Sequence, residues 1–216
     1  MMITPGSSKQ VLKSGHSWFR LNLSCLLCFR WKIQPNDFKE NYVPGTPPRV
    51  TYLLYEIRWG RSTKFWRHWC RSTPAQHAEV ACLENDFKKL KFRPSICCTI
   101  TWFLSWSPCG KCCHRIVEFL RAHPNVTLTI KAAWLYRHMD ERNRQGIRDL
   151  MQNRVEVYIM NLQDYRYCWR IFVAHQNGKE DDYCPLLFSW HIAFYYLELL
   201  HILWGLPSLF PKRQYL

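Results

Sequence analysis

The feature that most constrains the fold is an apolar stretch that ends in a closely spaced pair of cysteines. Residues 96–113 read ICCTITWFLSWSPCGKCC. The apolar part predicts a buried β-strand, the polar break at residues 105–107 predicts a turn, and the remainder predicts a helix that opens at Pro108. Cys109 and Cys112 lie three residues apart on that helix, so both sulfurs project to one side near its N-terminus. Two thiolates at the positive end of a helix favour a bound cation.

A third candidate ligand lies upstream, where residues 77–89 predict a second helix. His77 supplies an imidazole, and with Cys109 and Cys112 it makes three protein ligands of the kinds that zinc prefers. Three ligands leave one coordination position for water, which is typical of catalytic rather than structural zinc sites. Glu79 follows His77 closely enough to lie beside that water without ligating the metal. We therefore expect Glu79 to transfer protons.

The order H-x-E followed by P-C-x-x-C is the signature of zinc-dependent nucleobase deaminases. In these enzymes a water molecule activated by the metal attacks C4 of cytosine or C6 of adenine, and the glutamate is the general acid and base. Neither half is specific alone, because H-x-E also fits an ordinary first helical turn and a cysteine pair also fits a core or a redox site. Both halves in this order predict a zinc deaminase.

The composition favours a polyanionic partner. Lysine and arginine total 30 against 16 aspartate and glutamate residues, which gives a formal net charge of +14, and 16% of the residues are aromatic. Basic groups with aromatic rings between them are what single-stranded nucleic acids bind and stack on. The alternatives are a solvated cationic surface and a large aromatic core. The 11 cysteines follow no disulfide framework, which is typical of a reducing compartment, so we expect the cytoplasm, the nucleus or both.

The N-terminal region carries no sign of a membrane or secretory segment. No charge-free apolar run reaches the roughly 18 residues that predict a membrane span. Arg20 and Arg30 interrupt the apolar residues 17–31, and no small-residue cleavage site follows, so no secretory signal is predicted. Residues 1–30 lack periodicity and predict a flexible arm. Its Cys25 and Cys28 form a C-x-x-C that is either half of a second zinc site or unrelated to metal.

The rest of the chain predicts one α/β domain over residues 31–210, followed by a tail at residues 211–216. Helices are predicted at residues 33–40, 77–89, 109–122, 141–152, 163–174 and 187–204, and strands at residues 52–59, 63–69, 96–105, 126–135 and 155–160. An opening hairpin followed by alternating strands and helices predicts a five-stranded mixed sheet flanked by about six helices. The last helix is apolar on nearly every side. It therefore either packs on the sheet alone or also offers an outer face to a second copy of the chain.

Several stretches resemble the AID/APOBEC polynucleotide cytidine deaminases. They are TYLLYEIRWGR (51–61), the H-A-E motif, ITWFLSWSPCGKC (100–112), RHMDERNRQGIRDL (137–150) and DYRYCWRIFV (164–173). The resemblance covers about residues 30–210 and implies a single cytidine-deaminase-like domain with a five-stranded mixed sheet and six helices. It also implies zinc held by His77, Cys109 and Cys112, with Glu79 as the proton shuttle.

The same resemblance implies how a target cytosine is held. The aromatic ring of the SWS motif, here Trp106, roofs the pocket, and further contacts come from Thr51, Ala78, Ser105, Ser107 and Tyr136. The loop at residues 136–141 corresponds to the one that reads the base 5′ to the target. The pocket asparagine that the family places shortly before its H-x-E motif is absent from residues 70–76. Ser72 and Thr73 are the candidate substitutes.

Four arginines are candidate contacts to a nucleic-acid backbone, because they surround the first hairpin and the 136–141 loop. They are Arg58, Arg61, Arg137 and Arg142. Together these features predict zinc-dependent hydrolytic deamination of cytidine to uridine in single-stranded DNA or RNA, including C-to-U editing of messenger RNA. An RNA-binding auxiliary protein and a homodimer through the last helix are candidate partnerships.

Two other functions compete with this prediction. One is a deaminase of free nucleosides, which the high net charge and the long basic loops disfavour. The other is a nucleic-acid-binding module that keeps zinc for structure and has little or no deaminase activity. Glu79 argues against that module, because a structural zinc site has no use for a proton shuttle.

Overall fold

The computed structural model describes residues 31–44, 46–90, 92–175 and 189–209. The strands are β1 (Tyr52–Trp59), β2 (Trp66–Arg71), β3 (Cys98–Trp106), β4 (Val126–Trp134) and β5 (Glu156–Ile159). The helices are α1 (Pro35–Tyr42), α2 (Ala78–Ala81), α3 (Gly110–Ala122), α4 (Glu141–Gln152), α5 (Leu162–Phe172) and α6 (Ser189–Leu203). The predicted N-terminal arm with Cys25 and Cys28, the tail at residues 211–216 and the predicted helix start at residue 187 lie outside the described residues.

The strands form one mixed sheet in the order β2-β1-β3-β4-β5. β1 is antiparallel to both of its neighbours, whereas β3, β4 and β5 are parallel to one another. The register places Trp106 beside Trp134 and Leu53 beside Leu104, so the carboxyl ends of β3 and β4 meet the first residues of β1 at one edge. Such an edge is where sheets of this kind bind ligands. The predicted five-stranded mixed sheet with six helices is confirmed within the part of the chain that the structure describes.

The sheet is buried in its middle and is held to α1 at the edge that carries the parallel strand ends. Most of β3 is buried: its first residues alternate between buried apolar side chains and half-buried threonines, and residues 102–105 are buried without interruption. Tyr42 at the end of α1 is fully buried, and its hydroxyl donates hydrogen bonds to the carbonyl oxygens of Tyr52 (3.0 Å) and Phe103 (2.8 Å). These bonds fix the start of β1 against the end of β3.

The second strand and the second helix differ from their predictions. The second strand begins at Trp66 rather than at residue 63, because the Lys64 amide donates to the hydroxyl of Ser62 (3.0 Å) in a local turn that keeps these residues out of the sheet. The helix predicted over residues 77–89 is not α-helical throughout. After α2 it widens to a π-helical turn at Cys82–Asp86 and tightens to a 3₁₀ turn at Phe87–Lys89. The Asp86 carboxylate accepts hydrogen bonds from Tyr55 (2.9 Å) and Cys70 (3.2 Å), which tie the widened turn to the sheet.

The last helix, α6, buries one side and exposes the other. His191, Tyr195 and Glu198 are buried at helical spacing, whereas Trp190 in the helix and Trp204 directly after it are 65% and 68% exposed. No helix in the described ranges combines the length and the apolar character needed to cross a bilayer.

Candidate active site

The three predicted zinc ligands meet at the edge where β1 starts and β3 ends. His77 immediately precedes α2, Cys109 immediately precedes α3, and Cys112 lies in the first turn of α3. The Nδ1 atom of His77 lies 3.5 Å from the Sγ atom of Cys109 and 3.3 Å from that of Cys112. All three ligand atoms lie within 4.8 Å of one another, close enough to bind one metal ion.

The prediction that Pro108 opens the third helix was wrong, because α3 begins at Gly110 and Cys109 is its extended N-cap (φ −73°, ψ 164°). The cause is a tertiary contact with α4. The Gly110 amide donates to the side-chain oxygen of Asn143 at 2.9 Å, which holds this backbone against the neighbouring helix. The two sulfurs still lie at the positive end of α3, as the sequence predicted.

The pKa values of the two cysteines are shifted in opposite directions. The pKa of Cys109 is lowered to about 5, mainly by the hydrogen bond from the Cys112 thiol and with help from the Cys112 amide and His77, although burial opposes this shift. The same contact and burial raise the pKa of Cys112. Thiols must lose their protons to ligate a metal, so Cys109 is prepared for this role and metal binding must expel the proton of Cys112.

Glu79 lies beside this cluster with an unused acceptor. Its side chain is buried, and its Oε2 atom has no hydrogen-bond partner among the described residues. Burial raises the pKa of this carboxyl group to about 7. A buried acceptor without a partner is costly, and here it lies next to one nitrogen and two sulfur ligands. These residues therefore fit a zinc ion that carries a water molecule within reach of Glu79.

A cavity of about 370 Å³ opens onto the cluster. Its lining includes His77, Glu79, Cys109, Thr51, Trp106, Ser107, Tyr136, Arg49, Ser72 and Thr73. The Trp106 and Tyr136 rings are nearly perpendicular with centroids 5.9 Å apart, and the Trp106 indole N–H donates to the carbonyl oxygen of Pro48 at 3.1 Å. The cavity thus combines an aromatic wall with hydroxyl groups and the candidate metal ligands.

Four of the six predicted substrate-binding residues line this cavity: Thr51, Trp106, Ser107 and Tyr136. Ala78 and Ser105 are fully buried and do not line it. The Ser105 hydroxyl accepts the Tyr52 amide at 2.9 Å and donates to the carbonyl oxygen of Val50 at 3.3 Å, so it fixes the backbone on both sides of Thr51. The Ser107 hydroxyl accepts the Tyr136 amide at 2.9 Å and fixes the opposite wall.

Three further residues line the cavity, and one of them, Arg49, carried no sequence signal. Arg49 follows a proline-rich loop, and no motif marks it. Ser72 and Thr73, the candidate substitutes for the absent asparagine, both line the cavity. Ser72 pairs with Thr51 through two hydrogen bonds, one from each backbone amide, at 2.8 and 3.1 Å. The Thr73 hydroxyl accepts the Gln76 amide at 3.1 Å.

The structure brings together only two of the four predicted backbone-contacting arginines. Arg137 and Arg142 line a groove of about 1160 Å³ that adjoins the cavity between α3 and α4. The Arg137 guanidinium lies 5.4 Å from the centroid of the Tyr136 ring. Arg58 pairs with Thr99 at the far end of β1. Since a strand rises about 3.3 Å per residue, Arg58 lies roughly 20 Å from the end of β1 that borders the cavity. Arg61 lies in the turn that follows β1.

Comparison with known proteins extends this picture to most of the chain. Residues 36–175 match the family described as APOBEC4-like AID/APOBEC deaminases. The chain is 47% identical over 178 residues to the C→U-editing enzyme APOBEC-1 of Mus musculus, across 82% of this chain and 77% of the relative. Identity to the C→U-editing enzyme APOBEC-1 of Homo sapiens is 44% over 181 residues, with coverage of 82% and 75%. Identity to the DNA dC→dU-editing enzyme APOBEC-3H of Felis catus is 33% over 129 residues, with coverage of 60% and 66%.

Proposed function

Because the chain belongs to the AID/APOBEC deaminase family, we propose that it hydrolyses cytidine to uridine in single-stranded polynucleotides with zinc as its cofactor. The observation that carries the proposal is the buried carboxyl group of Glu79, whose Oε2 atom has no hydrogen-bond partner among the described residues, beside the candidate metal ligands in an open cavity. His77, Cys109 and Cys112 would hold the zinc ion. When bound, zinc supplies a water molecule of lowered pKa as the nucleophile.

Glu79 performs the proton transfers in this proposal. Its pKa of about 7, raised by burial, suits a group that both accepts and donates protons near neutrality. It accepts one proton from the attacking water and delivers it to N3 of the pyrimidine, then accepts the second proton from the new C4 hydroxyl group and delivers it to the departing amine. The products are uridine and ammonia, so Glu79 returns to its starting state.

The cavity walls hold and orient the base. The rings of Trp106 and Tyr136 offer stacking surfaces, and Thr51 and Ser107 offer polar groups to the pyrimidine and its sugar. A base inside a duplex cannot reach such a recessed site, so the substrate is single-stranded or has its target base extruded. The adjoining groove with Arg137 and Arg142 gives the flanking nucleotides a basic path, which a free-nucleoside deaminase does not need.

The comparisons favour RNA editing and leave DNA as a second substrate. The relatives named as C→U-editing enzymes match more of the chain, at higher identity, than the relative named as a DNA dC→dU-editing enzyme. We propose C-to-U conversion in messenger RNA as the principal activity, with single-stranded DNA as the competing substrate. The net charge of +14 supports binding to either polyanion.

The decisive experiment compares the wild-type protein with Glu79→Gln on matched single-stranded RNA and DNA oligonucleotides and on free cytidine. We expect the wild type to convert oligonucleotides and to leave the nucleoside largely unchanged. Glu79→Gln should lose about 10²–10⁴-fold in turnover while keeping zinc content and strand binding. Strand binding without turnover in the wild type would instead support the nucleic-acid-binding module, and preferred turnover of free cytidine would support the nucleoside deaminase.

We extend the proposal to a homodimer through the outer face of α6. Large apolar side chains are exposed there: Trp190, Tyr196 and Leu197 in the helix, with Trp204 and Leu206 just beyond it. A patch of this kind is typical of a protein interface. Light scattering should show a dimer for the wild type and a monomer for Trp204→Glu. The same mass for both proteins would contradict the homodimer.

The remaining proposals concern the cellular setting and the domain limits. We propose that the deaminase domain spans residues 31–210, that an RNA-binding auxiliary protein increases selectivity for RNA, and that the protein acts in the cytoplasm, the nucleus or both. Removal of residues 1–30 should leave oligonucleotide deamination intact. Addition of a cell extract should raise RNA conversion more than DNA conversion, and fractionation of expressing cells should locate the protein.

A further inference from the structure

A buried charged cluster connects α6, α4 and the 136–141 loop, of which residues 136–140 precede α4. Glu198 of α6 is fully buried. Its Oε1 atom lies 2.8 Å from Nη1 of Arg144 and 3.2 Å from Nδ1 of His138. Its Oε2 atom accepts the amide of Leu209 at 2.9 Å. One carboxylate therefore contacts a helix, a loop beside the cavity and the segment that follows α6.

Arg144 and its neighbour Asn143 hold the backbone of this loop. Arg144 donates to the carbonyl oxygen of His138 at 3.0 Å, and Asn143 donates to the carbonyl oxygens of Tyr136 at 3.3 Å and Arg137 at 3.5 Å. The side-chain oxygen of Asn143 accepts a hydrogen bond from the Gly110 amide at the start of α3. Three consecutive carbonyl groups of the loop are thus held by two adjacent side chains of α4.

The loop requires such support because its conformation is unfavourable in isolation. Arg137 has a φ of +40°, which residues other than glycine rarely adopt, and such strain persists only where the surroundings impose it. Tyr136 lines the cavity, and Arg137 lies over the Tyr136 ring and lines the adjoining groove. The shape of this loop therefore decides what the cavity entrance presents to a bound strand.

We propose that Glu198 is a positioning residue for substrate selectivity. It holds Arg144 and His138 so that the loop presents Tyr136 and Arg137 to the nucleotide beside the target cytidine. The substrate in this inference rests on the proposed function. A buried ion pair contributes little net stability compared with an apolar pair of similar size, so fold stability alone does not account for Glu198.

The test is the choice of neighbouring base by Glu198→Gln, measured as deamination rates on oligonucleotides that differ only in the base 5′ to the target cytidine. We expect the ratio between the best and the worst base to fall about fivefold, the effect of a modest coupling between sites, mainly through KM and with zinc content unchanged. The amides of residues 136–140 should also exchange hydrogen faster than in the wild type.

Asp164→Asn is the matched control, because it breaks another partly buried ion pair, with Lys131 at 2.6 Å, away from the cavity. It should lower stability without changing the preference for the neighbouring base. A second variant, Arg144→Met with Glu198→Leu, replaces the ion pair by apolar side chains that a buried site tolerates, and it should lose the base preference as Glu198→Gln does.

The proposal is overturned if both Glu198 variants keep the wild-type base preference and the wild-type hydrogen exchange in the loop. If the wild type deaminates no oligonucleotide, the proposed function fails, and the exchange measurement alone decides whether Glu198 holds the loop. Unchanged exchange would then overturn the positioning role as well.

Discussion

Gly110 and Gly146 bring α3 and α4 into backbone contact directly behind the cysteine pair. A Cβ atom on Gly146 would lie 2.9 Å from the Cα atom of Gly110 and 3.0 Å from the side chain of Cys113. A Cβ atom on Gly110 would lie 2.5 Å from the carbonyl oxygen of Arg142. Neither position has room for a side chain, so this contact sets where α3 places Cys109 and Cys112.

Gly146→Ala should therefore disturb both the fold and the metal ligands. We expect the free energy of unfolding to fall by about 1–3 kcal/mol, because the added methyl group meets backbone that cannot move aside cheaply. Zinc bound per chain should fall as well, because α3 must shift relative to His77. Met151→Ala is the control, since Met151 is an exposed residue of the same helix. Wild-type unfolding and zinc content in Gly146→Ala would contradict the importance of this contact.

The adjacent cysteines 112 and 113 should behave differently towards zinc. The Cys112 sulfur lies 3.3 Å from His77, whereas the buried Cys113 thiol donates to the carbonyl oxygen of Pro108 at 3.7 Å. We expect Cys113→Ala to retain about one zinc ion per chain and Cys112→Ser to lose it, as measured by elemental analysis. A chelator should lower the melting temperature of Cys113→Ala but not that of Cys112→Ser. Equal zinc loss in both variants would contradict this ligand assignment.

The sequence predicted the elements that depend on local pattern. The strand, turn and helix at residues 96–113 follow from periodicity, the cysteine pair follows from its three-residue spacing, and the structure places both sulfurs beside His77. The mixed sheet follows from alternating strands and helices. In these cases the structure depends on residues that are close together in the chain, so a single sequence is enough to predict it.

The features that escaped prediction depend on contacts between distant residues. α3 starts at Gly110 because Asn143 accepts its amide, and no local signal shows this. Ser105 supports the chain on both sides of Thr51 instead of lining the cavity, because the antiparallel register brings β1 to its hydroxyl. No sequence motif marks Glu198, because its partners Arg144 and His138 lie more than 50 residues away in the chain and only the fold brings them together.

The placement of the arginines predicts which ones a strand contacts. Arg49 lines the cavity and Arg137 lines the adjoining groove, whereas Arg58 and Arg61 lie at the far end of the first hairpin. We expect Arg49→Gln and Arg137→Gln each to weaken binding to single-stranded oligonucleotides and to reduce the slope of log affinity against log salt by about one. Arg58→Gln and Arg61→Gln are the controls and should leave the slope unchanged. A lower slope of log affinity against log salt in these controls would indicate that the β1–β2 hairpin also contacts the strand.

A buried histidine in α6 makes stability depend on pH. His191 packs against Trp134 and Tyr195 with ring centroids 4.1 and 4.7 Å away, and its Nε2 atom has no hydrogen-bond partner among the described residues. Burial lowers the pKa of His191 to about 4, although a hydrogen bond with the backbone of Ala133 opposes this shift. The folded protein therefore keeps this imidazole neutral at pH values where the unfolded chain binds a proton.

The sign of the effect follows from that difference. The contribution of His191 to stability is fully present above the unfolded pKa of about 6.5 and is lost as the pH falls towards 4. Chemical denaturation should show that the unfolding free energy of the wild type falls when the pH is lowered from about 7.5 to about 5. We expect the fall in His191→Phe to be smaller by about 1–2 kcal/mol. His114→Gln removes an exposed histidine and should follow the wild type. If His191→Phe and the wild type lose equal stability over this range, the pH dependence arises elsewhere, because an aromatic ring in place of the imidazole has no proton to bind.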